Sequence, residues 1–133
     1  MITVQHKEGP MDIKLTQAES EIMNYFWAQK EGVTFGEVLN FFQNEGERGW
    51  KKQTLNTYLR KLIAKGLIVT QRKGTRLYYS ASVGKEKFGT LKSREVIDKY
   101  YDGSTARFFA AFSASNSLTQ AEAQELLNML KER

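Results

Sequence analysis

The sequence has no cysteine among its 133 residues, and His6 is its single histidine. The absence of thiols excludes disulfides, thiolate metal sites and a thiol nucleophile, and it is consistent with a reducing compartment such as the cytoplasm. Carboxylates such as Glu19 and Glu21 are scattered over predicted helix surfaces without a histidine partner, and no glycine-rich phosphate loop is present. We therefore expect a protein that is not an enzyme and that holds no metal and no cofactor.

Long apolar runs are also missing. The longest apolar stretches extend over only a few residues, and residues 1–10 carry charge without an apolar segment. We therefore expect neither a membrane span nor a secretory signal, and a cytoplasmic location. Hydrophobic residues at 41% and charged residues at 26% are close to the averages of globular proteins, so the chain should fold.

Acidic residues are absent from one long stretch of the chain, between Glu47 and Glu86. The net charge of +5 resides entirely in residues 1–85, because residues 86–133 hold equal numbers of basic and acidic side chains. Such a stretch suits a polyanion, since neutralising phosphates releases condensed counterions; a solvated basic face is the alternative. Its basic residues are Arg48, Lys51, Lys52, Arg60, Lys61, Lys65, Arg72, Lys73, Arg76 and Lys85.

Three segments begin with the Thr-x-x-Glu pattern of a capping box, in which the threonine hydroxyl and the glutamate carboxylate each accept from a backbone N–H group of the first turn. The pattern predicts helices over 17–29 and 35–43, separated by a very short strand at Val33, and a last helix after Leu118. The pairs are Thr16 with Glu19, Thr34 with Glu37, and Thr119 with Glu122. The side chains expected to be buried by the first two helices are Ala18, Ile22, Tyr25, Phe26, Trp27, Val38, Leu39 and Phe42.

A third helix is predicted from residue 51 or 52 to residue 65, ended by Gly66. Two strands, 67–72 and 76–80, follow it and are joined by a glycine-containing hairpin turn. At 100° per residue one side of the helix is apolar and the other is polar. The apolar side holds Leu55, Leu59, Leu62 and Ile63, and the polar side holds Gln53, Asn56, Thr57, Arg60 and Lys61.

The order helix, short strand, helix, polar helix, hairpin is that of a winged helix-turn-helix, whose third helix reads the major groove of DNA. Gln53 and Asn56 can pair with adenine, and Arg60 can pair with guanine or clamp a phosphate. The methyl group of Thr54 or Thr57 can touch thymine, while the hairpin can reach phosphates or an adjacent minor groove. The predicted DNA contacts are Lys51, Lys52, Gln53, Thr54, Asn56, Thr57, Arg60 and Lys61 on the helix and Arg72, Lys73 and Arg76 on the hairpin.

From about residue 82 the apolar spacing is helical again, with a break at residues 102–104. The expected class is mainly α with a small β-hairpin: a flexible N-terminal arm over 1–14, a winged helix-turn-helix over 15–81 and a helical dimerisation tail over 82–133. Trp27 and Trp50 are expected to be buried rather than to stack on a ligand. The predicted dimer interface consists of Ile97, Tyr100, Tyr101, Phe108, Phe109, Phe112, Leu126, Leu127 and Leu130.

Several segments resemble the penicillinase-repressor family of the BlaI/MecI/CopY type. They are LTQAE at 15–19 with the following Ile22, Met23 and Trp27, WKKQT at 50–54 with Leu59 and Leu62, KGLI at 65–68, the tyrosine pair at 78–79, YYDG at 100–103 and the closing helix from 118 to 130. The resemblance covers essentially all residues after Met11.

This resemblance implies a homodimeric repressor whose winged helices read the two halves of a palindromic operator, typically with TACA and TGTA half-sites. It also implies a regulatory protease that cuts the tail at an Asn-Phe bond in response to β-lactams. In this chain Ala111 and Phe112 stand at that bond, so we expect this protein not to be switched by the same cut. A branch that senses copper through a cysteine-rich C-terminus is excluded.

Two other hypotheses remain open from the residues alone. A winged helix can dock on a protein, with the basic stretch facing an acidic partner. The cluster Phe108, Phe109 and Phe112 can line a small-molecule pocket in the tail of a ligand-responsive regulator, although its helical spacing favours a core or dimer interface. Binding to specific duplex DNA with a steep salt dependence separates the repressor from the protein-docking module.

Overall fold

The computed structural model describes residues 3–5, 11–45 and 49–133, with side chains from 11–44 and 49–133. The chain divides into two compact units, Met1–Gly89 and Thr90–Arg133. In the part of the chain that is described, no helix is long and apolar enough to cross a membrane.

The first unit contains three α-helices and a small sheet, in the predicted order of a winged helix-turn-helix. The mainly helical class with a β-hairpin is confirmed. The elements are β1 (Thr3–Gln5), α1 (Gln17–Trp27), β2 (Val33–Thr34), α2 (Phe35–Asn40), a π-helical continuation (Phe41–Glu45), α3 (Lys52–Ala64), β3 (Ile68–Lys73) and β4 (Arg76–Ala81).

Three helix starts have the capping box that the sequence predicts. The Thr16 hydroxyl accepts from Glu19 N at 3.2 Å, and the Glu19 carboxylate accepts from Thr16 N at 2.9 Å. The same reciprocal pair begins α2 at Thr34 and, in the second unit, the last helix at Thr119. At the other end of α3, Gly66 has φ 79° and Leu67 N donates to Leu62 O, which ends the helix as predicted.

The sheet is antiparallel, with strand order β1-β3-β4-β2. The hairpin of β3 and β4 turns at Gly74, whose φ of 62° favours glycine. The flexible arm expected over 1–14 is corrected in one part, because the backbone of Thr3–Gln5 pairs with β3 in the register Val4 to Gln71. Without it the free N–H and C=O groups of β3 would form an open sheet edge, and this pairing satisfies them.

The core of the first unit lies between the three helices and the sheet. Trp27 packs against it, and its indole Nε1 donates to Val83 O at 2.9 Å. Trp50 also packs against this core, stacked on Phe42 with ring centroids 4.9 Å apart, so both tryptophans are partly buried as expected. The buried residues of the cluster are Ile22, Met23, Phe26, Val33, Val38, Phe42, Leu55, Leu59, Leu62, Leu67, Ile68, Val83 and Phe88.

Three details of the first two helices differ from the prediction. Helix α1 ends at Trp27 instead of residue 29, because its last turn tightens and Gln29 N donates to Phe26 O. The second helix continues past Asn40 as a π-helix up to Glu45. Met23 and Glu19 are buried in α1 while Ala18 is only partly buried, so the buried face is rotated from the one expected.

The second unit contains the end of α4 (Lys85–Tyr100), then α5 (Thr105–Ala114) and α6 (Gln120–Lys131). The predicted break after α4 is present, with Asp102 and Gly103 both at positive φ. Ser104 caps α5 by accepting from Arg107 N at 3.1 Å. Among the described residues of α5 and α6 none is buried.

Candidate nucleic-acid interface

Helix α3 presents two chemically different faces. Leu55, Leu59 and Leu62 are fully buried in the core, which holds the helix along one side. The opposite side is exposed and polar, in agreement with the helical periodicity of the sequence. Its exposed members are Lys52, Gln53, Thr54, Thr57, Arg60 and Lys61, and Asn56 is partly exposed.

The first turn of α3 is basic and lacks a side-chain cap. Lys51 occupies the N-cap position, no side chain accepts there, and the first turn contains no acidic residue. Four N–H groups at a helix start have no partner within the helix, and the partial positive charge there adds to that of lysine side chains. This end of the helix therefore favours an anion, and the described residues do not supply one at the cap.

The C-terminal end of α3 is anchored by an ion pair that joins it to the start of α1. Lys65 Nζ lies 2.8 Å from Glu19 Oε1 and 2.6 Å from Lys14 O. Burial would raise the pKa of the Glu19 carboxyl, but hydrogen bonds from Lys65 and Thr16 and the charge of Lys65 outweigh it, so the pKa is lowered. Glu19 is only 1% exposed.

This ion pair corrects two expectations. Glu19 is not on a helix surface, because its carboxylate both caps α1 and meets the ammonium of Lys65. Lys65 belongs to the stretch without acidic residues, but its charge is already neutralised and it does not contribute to a free basic face. The capping-box pattern was the only feature of the sequence that indicated a role for Glu19. Such a local pattern does not reveal an ion-pair partner from another helix.

The hairpin of β3 and β4 carries the second group of predicted contacts. Arg72, Lys73 and Arg76 are all exposed, and Lys73 is directly paired with Arg76 across the strands. The Lys73 ammonium lies 5.7 Å from the centre of the Tyr78 ring, which orients it by a cation–π contact. Cross-strand like charges destabilise a hairpin, so an anionic partner would relieve them.

The basic side chains of α3 and the hairpin have no carboxylate partner among the residues that the structure describes. The ion pairs of this part of the chain and of the tail involve Lys65, Lys92, Arg94 and Arg107. Within the described residues, the charges of the interface are therefore not neutralised by carboxylates. The residues concerned are Lys51, Lys52, Arg60, Lys61, Arg72, Lys73 and Arg76.

One aromatic residue of this face was not predicted. Phe35, the first residue of α2, lines a groove of about 430 Å³ together with Lys52, Gln53 and Asn56. Its ring meets Tyr79 of β4 edge-on, with centroids 6.5 Å apart. Burial raises the pKa of the Tyr79 hydroxyl, and the positive charge of Arg60 offsets part of that rise. Phe35 of α2, Arg60 of α3 and Tyr79 of β4 therefore lie close to one another.

The predicted dimer residues differ in exposure within the single chain. Ile97 is buried at 6% exposure, and Tyr101, Phe108 and Leu126 are partly buried. The Phe108 ring contacts those of Tyr101 and Phe112 with centroids 5.6 and 4.5 Å away. The large exposed apolar residues of the tail are Val96, Tyr100, Phe109, Phe112, Leu127, Met129 and Leu130.

The first unit thus has the fold and the exposed polar helix of a winged helix-turn-helix DNA-binding domain. The penicillinase repressor family model matches residues 15–132. The chain belongs to this family, whose members are regulators of transcription and not enzymes.

Individual relatives cover nearly the whole chain. The chain is 24% identical over 119 residues to the penicillinase repressor of Bacillus licheniformis. This match covers 90% of the chain and 91% of the relative. The chain is 26% identical over 121 residues to the methicillin resistance regulatory protein MecI of Mammaliicoccus sciuri, covering 90% and 95%. The MecI protein of Staphylococcus aureus strain N315 is 25% identical over the same coverage.

Proposed function

We propose that this protein is a transcriptional repressor that binds a palindromic DNA operator as a homodimer. The observation that carries the proposal is the face of α3, which combines exposed amides with basic side chains that have no carboxylate partner in the described part of the chain. One relative that matches nine-tenths of the chain is named a penicillinase repressor, and others are named methicillin resistance regulatory proteins. A bound repressor that covers a promoter blocks transcription.

Recognition is divided between the two parts of the face. Gln53 and Asn56 supply donor and acceptor atoms that match adenine, and Arg60 matches guanine or a phosphate. The Thr57 hydroxyl donates to Gln53 O at 3.0 Å, so Thr57 offers its methyl group to thymine. The hairpin cations contact phosphates and set the position of the helix without reading bases.

The tail supplies the dimer interface. Tyr100 is 67% exposed and Leu127 is 51% exposed, and exposed apolar surface of this extent is typical of a surface that meets another protein. A second copy is the simplest partner, because one patch can serve both subunits across a two-fold axis. Two winged helices related by that axis read a palindromic site.

Regulation by a protease that cuts a tail bond is an expectation from the family. Ala111 and Phe112 lie inside α5, and Ala111 lacks the amide that a protease subsite built for asparagine would bind. A cut here also requires the helix to unwind locally. We therefore propose that release from DNA uses a different signal or a different bond.

The test is binding of the full chain to duplexes selected from a random library. Selected duplexes should contain a dyad, bind at least 10³-fold more tightly than scrambled duplex, and lose affinity steeply with salt. Sedimentation should give two chains per duplex. Absence of any duplex binding would contradict the proposal and favour a protein-docking winged helix.

A further inference from the structure

The groove between the start of α2 and the outer face of α3 has one apolar wall and one polar wall. Phe35 forms the apolar wall, and Lys52, Gln53 and Asn56 form the other. Its volume is about 430 Å³, and it opens among the side chains that the proposed function assigns to base recognition. Phe35 is partly buried against the core of the first unit, and the part of it that lines the groove offers apolar surface beside two amides.

The position of the Phe35 ring is fixed by the backbone before it and by a neighbouring ring. Thr34 caps α2 by accepting from Glu37 N at 3.2 Å, which fixes the backbone immediately before Phe35. The ring meets Tyr79 at an interplanar angle of 78°, and Tyr79 is itself partly buried in β4. Phe35 is therefore a positioned wall of the groove.

The chemistry of the two walls corresponds to an A·T pair. Asparagine and glutamine amides match the N6 and N7 atoms of adenine in the major groove. Thymine, the partner of adenine, is the only base that presents an apolar group there, its C5-methyl. Lys52 adds positive charge, which complements the phosphates on either side.

We propose that Phe35 is a specificity-determining residue that receives the C5-methyl group of a thymine in the operator half-site. The proposal rests on the proposed function and extends it to a residue of α2. A thymine methyl is the occupant that we infer for the groove, because a larger apolar ligand would displace the amides of Gln53 and Asn56 from the base edges that they read.

The experiment measures the affinity of the full chain for selected operator duplexes in which single thymines are replaced by uracil, which removes one methyl group. At one position in each half-site the wild-type chain should bind the uracil duplex about fourfold more weakly, the effect of burying one carbon. The Phe35→Ala chain should bind the thymine and uracil duplexes equally at that position. Phe41→Ala is the matched control, because Phe41 packs against Tyr25 away from the groove and its loss should leave the thymine preference unchanged.

The outcomes separate the inference from the proposed function. Equal binding of thymine and uracil duplexes at every position, with specific operator binding retained, would overturn the inference alone. An unchanged thymine preference in Phe35→Ala would also overturn it. If Phe35→Ala does not fold, Phe35→Leu keeps an apolar wall and should reduce the preference without abolishing operator binding. Absence of any sequence-specific binding by the wild-type chain would overturn the proposed function as well.

Discussion

In the first unit the apolar face of α3 is closed off from water, with Leu55, Leu59 and Leu62 fully buried, whereas α5 and α6 of the second unit bury none of their described residues. Both regions have amphipathic helices, so the difference does not come from sequence pattern. It comes from what each helix packs against. A three-helix unit with a sheet covers its apolar side chains, and the two short tail helices leave large apolar side chains exposed in the single chain.

Ion pairing differs between the two regions in the opposite sense to apolar burial. In the tail the ion pairs Arg94 with Asp98 and Arg107 with Asp102 neutralise basic side chains locally. On α3 and the hairpin the described basic side chains lack such partners. The first unit thus buries an apolar core and leaves the described cations of α3 and the hairpin without carboxylate partners. The tail pairs Lys92, Arg94 and Arg107 with carboxylates and leaves large apolar side chains exposed. These cations of the first unit suit the DNA operator, and the exposed apolar side chains of the tail suit the second copy of the chain, which are the partners that we propose.

The sharpest test of this contrast removes the tail. A fragment that ends at Gly89 keeps Val83 and Phe88 in the core of the first unit and loses α5 and α6. It should remain folded by circular dichroism, sediment as a monomer, and bind the operator about 10²- to 10⁴-fold more weakly, because the second half-site is no longer tethered. A dimeric fragment with full operator affinity would show that the interface lies in the first unit.

A pair of leucine substitutions tests which apolar side chains are covered within one chain. Leu59→Ala should lower the free energy of unfolding by about 2–5 kcal/mol, because a fully buried side chain is lost from α3. Leu127→Ala, in the exposed part of α6, should instead shift the dimer dissociation constant and make unfolding more dependent on protein concentration. Urea unfolding at two protein concentrations distinguishes them. Similar effects of both substitutions at all concentrations would remove the distinction between the two regions.

The ion pair of Glu19 and Lys65 gives the first unit a pH-dependent stability. Because the pKa of Glu19 is below its unfolded value in the folded state, ionised Glu19 stabilises the fold above about pH 4.5, and this contribution is lost as pH falls through the folded pKa. Glu19→Gln should cost about 1–3 kcal/mol at pH 7 and flatten this part of the pH profile. Glu31→Gln, at an exposed site, is the control and should change neither. A Glu19→Gln profile parallel to the wild type would refute the role of this pair.

Removing a charge from the hairpin tests whether the basic side chains of the first unit that lack carboxylate partners contact DNA. Lys73→Gln should lower the salt slope of operator binding by about one and weaken specific and scrambled duplexes alike. Gln53→Ala should instead cost about 1–3 kcal/mol at its own base pair and leave the salt slope unchanged. Lys131→Gln in α6 is the matched control, and its salt slope should equal that of the wild type. If Lys73→Gln and Lys131→Gln change the salt slope equally, DNA binding depends on the total charge of the chain and not on the position of Lys73 on the hairpin.

The smallest expected effect concerns cleavage of the tail. When the protein is expressed beside a β-lactam sensor system and inducer is added, mass spectrometry should find the bond between Ala111 and Phe112 intact. Ala111→Asn restores the residue that the family pattern has at this bond and is the positive control. Cutting of the wild-type chain at this bond, with loss of operator binding, would contradict the prediction.

Features that depend on neighbouring residues were readable from the sequence alone. The three capping boxes, the two faces of α3, the glycine end of that helix and the hairpin turn all arise within a few residues along the chain. Their geometry depends on helical periodicity and on local hydrogen bonds, which the amino-acid order dictates directly. The same applies to the lack of acidic residues between Glu47 and Glu86.

Features that join distant segments were decided by the tertiary structure. Glu19 meets Lys65 across 46 positions, Trp27 meets Val83 across 56, and β1 pairs with the edge of β3. Phe35 lines a groove together with Lys52, Gln53 and Asn56 only because α2 packs beside α3. No local pattern specifies which surfaces meet, since an amphipathic helix can cover any apolar neighbour; the choice is made by the one arrangement that buries all the apolar faces of the first unit together.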